Sequence, residues 1–313
     1  MFIIKNRNIF FGFVGLISAL ALGAIVFFGI NKGIDFTGGN LAEIRFEGPL
    51  PQQEVLLADL EKAGVMGASL RPAGDSGYIL RADSMSAELQ AKLVSVASRE
   101  GSTARLERMT DIGPTIGVEL YRKSIIAMLL VVLAILIYLA FAFKTPAQDP
   151  KLIEKNLGGL KDVSSWWYGL IAIFTLMHDI LVPLGLVAVL GHYAGAQVDT
   201  LFITALLTIL GYSVNDTIVI FDRVREKVRA QIGKKGTETD FTTLVGTALQ
   251  ETYGRSINTS LTVLISLVAL YVFGPDATKF FALTLIAGVV AGTYSSIMLA
   301  TPLLVEVHKR TRA

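Results

Sequence analysis

Residues 211–221, GYSVNDTIVIF, end a long apolar run and carry Asn215 and Asp216 side by side within it. An ionised aspartate inside a bilayer costs at least about 2.5 kcal/mol, so such residues face the interior of a helix bundle and usually carry function. The whole chain is 52% hydrophobic and 17% charged, with a mean hydropathy of +0.58. This composition predicts a membrane protein that holds a functional carboxylate in its interior.

Outward from this stretch, the sequence contains six apolar runs long enough to cross a bilayer, which takes about 20 helical residues. The predicted spans are residues 9–30, 124–143, 167–190, 201–221, 257–273 and 280–304. The first has Lys5 and Arg7 in front of it, and Ala19-Leu20-Ala21 loosely imitates a signal-peptide cleavage site. Because the apolar run continues well past that site, we expect an uncleaved anchor.

The positive charges are unevenly placed and predict the orientation, because Lys and Arg of short loops stay in the cytoplasm. One set of segments carries Lys5 and Arg7, four lysines between spans two and three, seven Lys or Arg between residues 223 and 255, and Lys309, Arg310 and Arg312. The opposite short loops carry only Lys279. We therefore expect a multi-pass membrane protein with both termini in the cytoplasm and residues 31–123 outside, which is the periplasm if the cell is bacterial.

The chain divides into three predicted parts. Residues 1–30 form the cytoplasmic N-terminus and the first span, residues 31–123 a periplasmic α+β domain, and residues 124–313 the other five spans with their cytoplasmic loops and C-terminus. In the middle part, alternating and helical patterns follow the order strand, helix, strand, strand, helix, strand. That order is typical of ferredoxin-like folds.

Two glycine-containing stretches join this domain to the membrane. GIDFTGG (residues 33–39) follows the first span, and DIGPTIG (residues 111–117) precedes the second. Glycine permits positive φ and close backbone approach, so both stretches suit either a rigid corner or a hinge. The junction residues of interest are Gly33, Asp35, Gly38, Gly39, Gly113 and Pro114.

Asp216 is the leading candidate for a functional side chain. We expect it to carry a proton that movements of neighbouring helices load and release. Thr204, Thr208 and Tyr212 precede it at intervals of four residues, which predicts a polar stripe leading to the carboxylate, although the threonines would also serve as hydrogen-bond donors between helices. Arg255, at the head of span five, is a predicted partner of Asp216, or else a positive anchor at the membrane surface.

Span three adds His178 and Asp179, which point about 100° apart on a helix. We expect one of them to face Asp216, or the two to form a structural hydrogen-bonded pair. In span six, Gly288 and Gly292 form a GxxxG pair with small residues around it, which predicts close helix packing. The sequence contains no cysteine, no histidine pair at metal-ligand spacing and no nucleophile–base constellation, so we expect neither a metal, nor a cofactor, nor an enzyme.

These motifs together resemble the SecF family, the smaller subunits of SecDF protein-export complexes in the RND superfamily. The resemblance is carried by GIDFTGG, IGPTIG, His178-Asp179, GYSVNDTIVIFDRVRE and RSINTSLTVL. It implies export of polypeptides driven by the proton gradient, with Asp216 and Arg255 in the proton path and a further acidic residue supplied by the partner SecD. It also implies contacts with the SecYEG channel, SecA, YajC, YidC, the exported polypeptide and membrane lipid, and none with nucleic acid.

Two other functions stay open on the sequence. RND relatives include proton-coupled exporters of small molecules or lipids. A scaffold that stabilises a translocon without transporting anything is the second alternative, and it predicts that Asp216→Asn leaves activity intact.

Overall fold

The computed structural model describes residues 2–143, 165–231 and 240–311. The predicted lysines between spans two and three, together with Lys234, Lys235 and Arg312, lie outside the described residues. Six described helices are long and apolar enough to cross a bilayer. A four-stranded sheet follows the first of them, which confirms the predicted class of a polytopic helical membrane protein with one α+β domain.

The part between the first two spans is built as the sequence pattern predicts. After a short helix α1 (Phe2–Lys5), the first span α2 (Arg7–Phe28) and one helical turn α3 (Ile34–Thr37), the elements are β1 (Gly39–Glu47), α4 (Gln53–Lys62), β2 (Ser69–Ala73), β3 (Gly77–Ala82), α5 (Ala87–Ala97) and β4 (Thr103–Ile112). The strands pair antiparallel in the order β2-β3-β1-β4. This is the ferredoxin-like arrangement.

Strand β1 shows why this domain folds as two layers. Its alternate residues Ala42, Ile44 and Phe46 are buried in one core with Leu56 of α4 and Leu93 of α5. The residues between them point to the other face of the sheet, because side chains alternate along a strand. The helices therefore cover one face of the sheet only.

The other five spans are longer helices than their apolar runs. They are α6 (Pro114–Ala142), α7 (Ser165–Tyr193), α8 (Thr200–Gln231), α9 (Phe241–Phe273) and a sixth span that begins as α10 (Asp276–Ser295), passes one π-helical turn (Ser296–Ala300) and ends as α11 (Thr301–Arg310). Hydropathy marks the part of a helix that lies in hydrocarbon, whereas the helix itself continues through amphipathic residues. Helix α6 thus begins inside the predicted domain segment, and the division of the chain at residues 30 and 123 stays a prediction.

Three spans form the centre of the bundle. About half or more of the apolar stretches of α7, α8 and the sixth span is buried, whereas α2, α6 and α9 are mostly exposed in this single chain. Helix α2 packs against α7 so closely that a side chain at Gly185 would stand 2.6 Å from the Cα of Ala21. Because the apolar part of α8 is more than half buried, the helix that carries Asp216 has neighbours on several sides.

Candidate functional site

Asp216 lies halfway along α8, about 24 Å from the first residue of that helix at 1.5 Å per residue. Its side chain is 5% exposed, and its Oδ2 atom has no hydrogen-bond partner among the described residues. The buried hydroxyl of Ser256, on α9, lies beside the carboxylate. A buried carboxylate with a neighbouring hydroxyl is suited to taking up and releasing a proton.

Arg255 is the next residue to Ser256 on α9, and its charge acts on Asp216. The arginine is exposed, and among the ion pairs of the described residues none within 4 Å joins it to Asp216. The pair predicted from sequence is therefore brought together in space without a direct contact.

A polar chain links three spans one turn above Asp216. The hydroxyl of Tyr212 on α8 donates to Ser260 on α9 at 3.2 Å, and Thr293 on α10 donates to the same serine at 2.7 Å. Tyr212 is half-buried, so this chain runs between the helices and not along the outside of the bundle.

Thr204 and Thr208 do not join this chain. Both are exposed, and each hydroxyl bonds a backbone carbonyl of its own helix at 2.8 Å. Residues four apart on a helix are rotated by about 40°, so three such steps separate Thr204 from Asp216 by about 120° around the axis. The predicted stripe thus begins on the outer face of α8 and ends in its buried face.

His178 ties the first and sixth spans to the third. Its Nδ1 atom lies 2.8 Å from the Ser18 hydroxyl of α2, and its Nε2 atom lies 2.8 Å from the Tyr294 hydroxyl of α10. The ring is 5% exposed. Both ring nitrogens are occupied by these partners, so His178 does not face Asp216.

Asp179 points the other way, toward α8. It is fully buried, and the Ser213 hydroxyl donates a short hydrogen bond to its Oδ2 atom. The hydroxyl of Ser295 lies near the same carboxylate but donates to the backbone oxygen of Gly292 at 3.2 Å. Within the described residues, no cation comes within 4 Å of this carboxylate.

Gly288 and Gly292 lie on the face of α10 that packs on α8. A side chain at Gly288 would collide with Ile209, and one at Gly292 would stand 2.8 Å from the Cβ atom of Ser213. The missing side chain at Gly292 therefore allows Ser213 to occupy the position from which it reaches Asp179.

The two glycine junctions contact each other through their backbones. Gly38 has φ +76°, and a side chain there would stand 2.7 Å from the Cα of Pro114. A side chain at Gly117 would likewise stand 2.8 Å from the backbone nitrogen of Gly38. Gly39 also has positive φ, whereas Gly113 has open space around it and begins α6 next to Pro114.

The remaining junction residues meet the start of α8. Asp35 accepts hydrogen bonds from the backbone N–H of Thr200 at 2.9 Å and from the Thr200 hydroxyl. The N–H of Gly33 donates to the carbonyl of Val198 at 2.7 Å. These contacts join parts of the chain about 165 residues apart, and no local pattern in the sequence predicts them.

Several residues of the polar networks were not predicted from sequence: Ser18, Ser213, Ser256, Ser260, Thr293 and Tyr294. A lone hydroxyl in an apolar helix is a weak signal, because it can bond its own helix. Among the described residues, no group of three or more His, Cys, Asp or Glu is arranged to hold a metal ion.

The sequence matches the model of the family described as protein export membrane protein SecD/SecF, C-terminal, over residues 93–149 and 164–310. Residues 23–49, which include the first glycine junction, match the SecD/SecF GG motif. The chain belongs to the SecD/SecF family.

Individual relatives are similar over nearly the whole chain. A protein translocase subunit SecF of Thermobaculum terrenum is 38% identical, with 90% of this chain and 86% of the relative covered. SecF proteins of Anaerolinea thermophila and Pseudomonas aeruginosa are 35% and 33% identical, covering 97% and 96% of this chain and 92% and 90% of their own lengths.

Two solved structures share the fold. The crystal structure of SecDF from Thermus thermophilus, a translocon-associated membrane protein, matches 98% of this chain with a TM-score of 0.81 and 29% identity. SecDF in a super-membrane-facing form matches 99% with a TM-score of 0.66. This chain spans only 38% and 39% of those SecDF chains.

Proposed function

We propose that this chain is an accessory subunit of the Sec protein translocase that works with a SecD partner. In this proposal it uses the proton gradient to promote late export of polypeptides across the bacterial cytoplasmic membrane. The observation that carries it is Asp216, a buried carboxylate on a membrane-spanning helix with the Ser256 hydroxyl beside it, in a chain of the SecD/SecF family. The names of the relatives support the translocase role.

In this mechanism Asp216 holds the transported proton and Arg255 controls its release. A proton on Asp216 neutralises it, and loss of the proton leaves a buried anion that attracts the guanidinium on the neighbouring helix. The arginine is close enough to act through its charge and remains free to move, because no contact within 4 Å fixes it to Asp216 among the described residues. Protonation would therefore change how α8 and α9 pack.

The proton path is incomplete within this chain. Thr204, Thr208 and Asn215 on α8 and Arg255 on α9 are exposed, at depths where lipid is a poor solvent for such groups. A second protein surface that covers these residues removes that cost. A SecD partner of similar membrane plan fits this role, since the matched SecDF chains contain more than twice the length of this one.

The available energy is sufficient for a mechanical step. One elementary charge that crosses 100 mV releases about 2.3 kcal/mol. That free energy shifts a two-state equilibrium by more than about tenfold. The chain matches SecDF in its super-membrane-facing form with a TM-score of 0.66 against 0.81 for the other SecDF structure, and this difference supports a family that changes shape.

The wider assembly follows from the same proposal. Both termini lie in the cytoplasm and the α+β domain lies in the periplasm, where it meets the emerging polypeptide. SecYEG, SecA, YajC and YidC are the proposed neighbours in the membrane and at its cytoplasmic face. The chain itself performs no enzymatic reaction in this scheme.

The test is gradient-dependent export of a secretory protein in membrane vesicles that contain the SecD partner and either wild type or Asp216→Asn. We expect the variant to lose the gradient-dependent part of export and to keep the part that persists when an ionophore collapses the gradient. Asp222→Asn is the matched control, because Asp222 lies on the same helix and is exposed.

The abundance of the complex must be equal in all vesicles. Undiminished gradient-dependent export with Asp216→Asn would contradict the proposal and favour a scaffold that only stabilises the translocon.

A further inference from the structure

The start of α8 is held by two carboxylates. Asp199, directly before the helix, accepts the N–H of Phe202 at 2.7 Å, as an ordinary N-cap does. Asp35 accepts the N–H of Thr200 at 2.9 Å and the Thr200 hydroxyl as well. The helix thus has its own cap, and Asp35 adds a contact from a distant part of the chain.

The contact of Asp35 with Thr200 brings the Asp35 carboxylate close to the like-charged carboxylate of Asp199. Burial raises the pKa of Asp199, and the negative charge of Asp35 adds to that rise. The helix dipole attracts both carboxylates, but they repel each other. Helix α8 does not need the contact of Asp35 with Thr200 to begin, and the charge of Asp199 opposes that contact. The contact is therefore suited to opening and closing.

The segment around Asp35 is attached to the membrane helices on one side. Backbone hydrogen bonds join Gly33 to Val198 at 2.7 Å and Val198 to Asn31 at 2.8 Å. Phe36 is buried in an apolar cluster that includes Phe202 of α8. Asp35 therefore moves with the first turn of α8 as long as these contacts persist.

The same segment is attached to the α+β domain on its other side. Arg81 of β3 donates to the Thr37 hydroxyl at 3.0 Å. Arg71 of β2 lies over Gly195, where a side chain would come within 2.5 Å of its Nε atom. The domain thus contacts both the turn that carries Asp35 and the loop that leads into α8.

We propose that Asp35 is the positioning residue that couples the α+β domain to the helix carrying Asp216. It holds the domain-side end of α8 in the arrangement seen here and releases that end when α8 shifts during transport. Thr200 and Asp216 lie on one uninterrupted helix, so an axial or rotational shift at Asp216 reaches Thr200 directly. This inference rests on the proposed function of Asp216.

The first test compares the two carboxylates at the same helix end in the vesicle export assay. We expect Asp35→Ala, which removes the acceptor of both Thr200 bonds, to reduce gradient-dependent export by about fivefold or more, a usual size for coupling between sites. Export without a gradient and the abundance of the complex should not change. Asp199→Ala, which removes the helix's own cap, should retain most gradient-dependent export. Equal losses in both variants would assign Asp35 a purely structural role, and no loss in Asp35→Ala would also overturn the inference.

The second test closes the contact covalently while leaving Asp35 and Thr200 in place. The sequence has no cysteine, so within this chain the pair Gly33→Cys with Asp199→Cys can form only its own disulfide. A Cβ at Gly33 would stand 3.1 Å from the Cβ of Asp199, and a shift of a few tenths of an ångström brings the two to the separation of about 3.5–4.5 Å found in disulfides. Oxidation should abolish the gradient-dependent part of export, and reduction should restore it. Glu47→Cys with Thr103→Cys, exposed residues that pair across β1 and β4 within the domain, is the control.

Thiol labelling gives the fraction of locked protein. Undiminished gradient-dependent export by fully locked protein would overturn the inference. Asp216→Asn in the same vesicles separates the two proposals: if that variant loses gradient-dependent export and the locked protein does not, only the coupling role of Asp35 is wrong. If Asp216→Asn has no effect, the proposed function itself is wrong.

Discussion

Asp216 and Arg255 lie on neighbouring antiparallel helices, and the charge of the arginine reaches the carboxylate although no ion pair within 4 Å joins them in the described chain. Contacts at 3.2 Å between Tyr212 and Ser260 and at 2.5 Å between Arg223 and Glu251 fix the pairing of the same two helices on either side. Arg255 is therefore held near Asp216 by its helix and not by a bond of its own.

This relationship predicts that the charge of Arg255 matters more than its shape. Arg255→Gln should lose most gradient-dependent export, whereas Arg255→Lys should retain a substantial part. The vesicle export assay measures both. Arg229→Gln is the control, because Arg229 is an exposed arginine on α8. If Gln and Lys behaved alike at position 255, the charge interaction would be irrelevant to transport.

The close approach of α10 and α8 predicts a strong effect at Gly292. An alanine there would place its Cβ 2.8 Å from that of Ser213, so one helix must shift. We expect Gly292→Ala to lower the free energy of unfolding by about 1–3 kcal/mol, as overpacked cores do. Denaturant unfolding in detergent gives this value. Gly211→Ala, in open space on α8, should be neutral or stabilising. Equal stability of the two variants would contradict the packing described.

The contact between the junctions predicts opposite tolerance at two nearby glycines. Gly38→Ala meets both a positive φ and the backbone of Pro114, and should destabilise the protein by about 1–3 kcal/mol. Gly113→Ala has no atom within 4 Å of its Cβ and should be tolerated. Limited proteolysis of the junctions and thermal unfolding compare the two. A tolerated Gly38→Ala would indicate that the junctions are not packed as seen here.

The buried pair of Asp179 and Ser213 predicts non-additive effects on stability. Ser213→Ala should cost about 1–3 kcal/mol, because it leaves a fully buried carboxyl group without its hydroxyl donor. Replacing both residues, Asp179→Leu with Ser213→Ala, should recover part of that loss, since no unsatisfied polar group remains. A double-mutant cycle measures the coupling. Strict additivity would show that the two groups do not interact.

The architecture was predictable because it depends on patterns that are local in sequence. Apolar length located all six spans, and alternation in residues 41–48 located the central strand of the sheet. The helix ends were less predictable: α9 begins at Phe241, sixteen residues before the apolar run, because tertiary packing extends a helix beyond its hydrophobic part.

The sequence singled out the charged residues of the candidate site and Tyr212, but not its small hydroxyl residues. Asp216 is conspicuous because a carboxylate in an apolar run is rare, but Ser213 and Ser256 look like any other small residue of a membrane helix. The contact of Asp35 with Thr200 joins residues far apart in the chain, so it depends on the folded arrangement alone. The rotation of about 40° per four residues explains why Thr204 lies outside while Asp216 lies inside.

The π-helical turn at Ser296–Ala300 changes the direction in which the later side chains of the sixth span point. Its wider turn takes up one residue more than an α-helical turn would, which offsets every later side chain by about 100° relative to a continuous α-helix. The small-residue face of α10 can therefore meet α8 while His308, in α11, stacks on Phe241 at 3.9 Å between ring centroids. Deleting a single residue from that turn would hardly shorten the helix, yet it would rotate His308 away from Phe241. The number of residues in the turn therefore determines where the His308 side chain points, as much as the chemistry of those residues does.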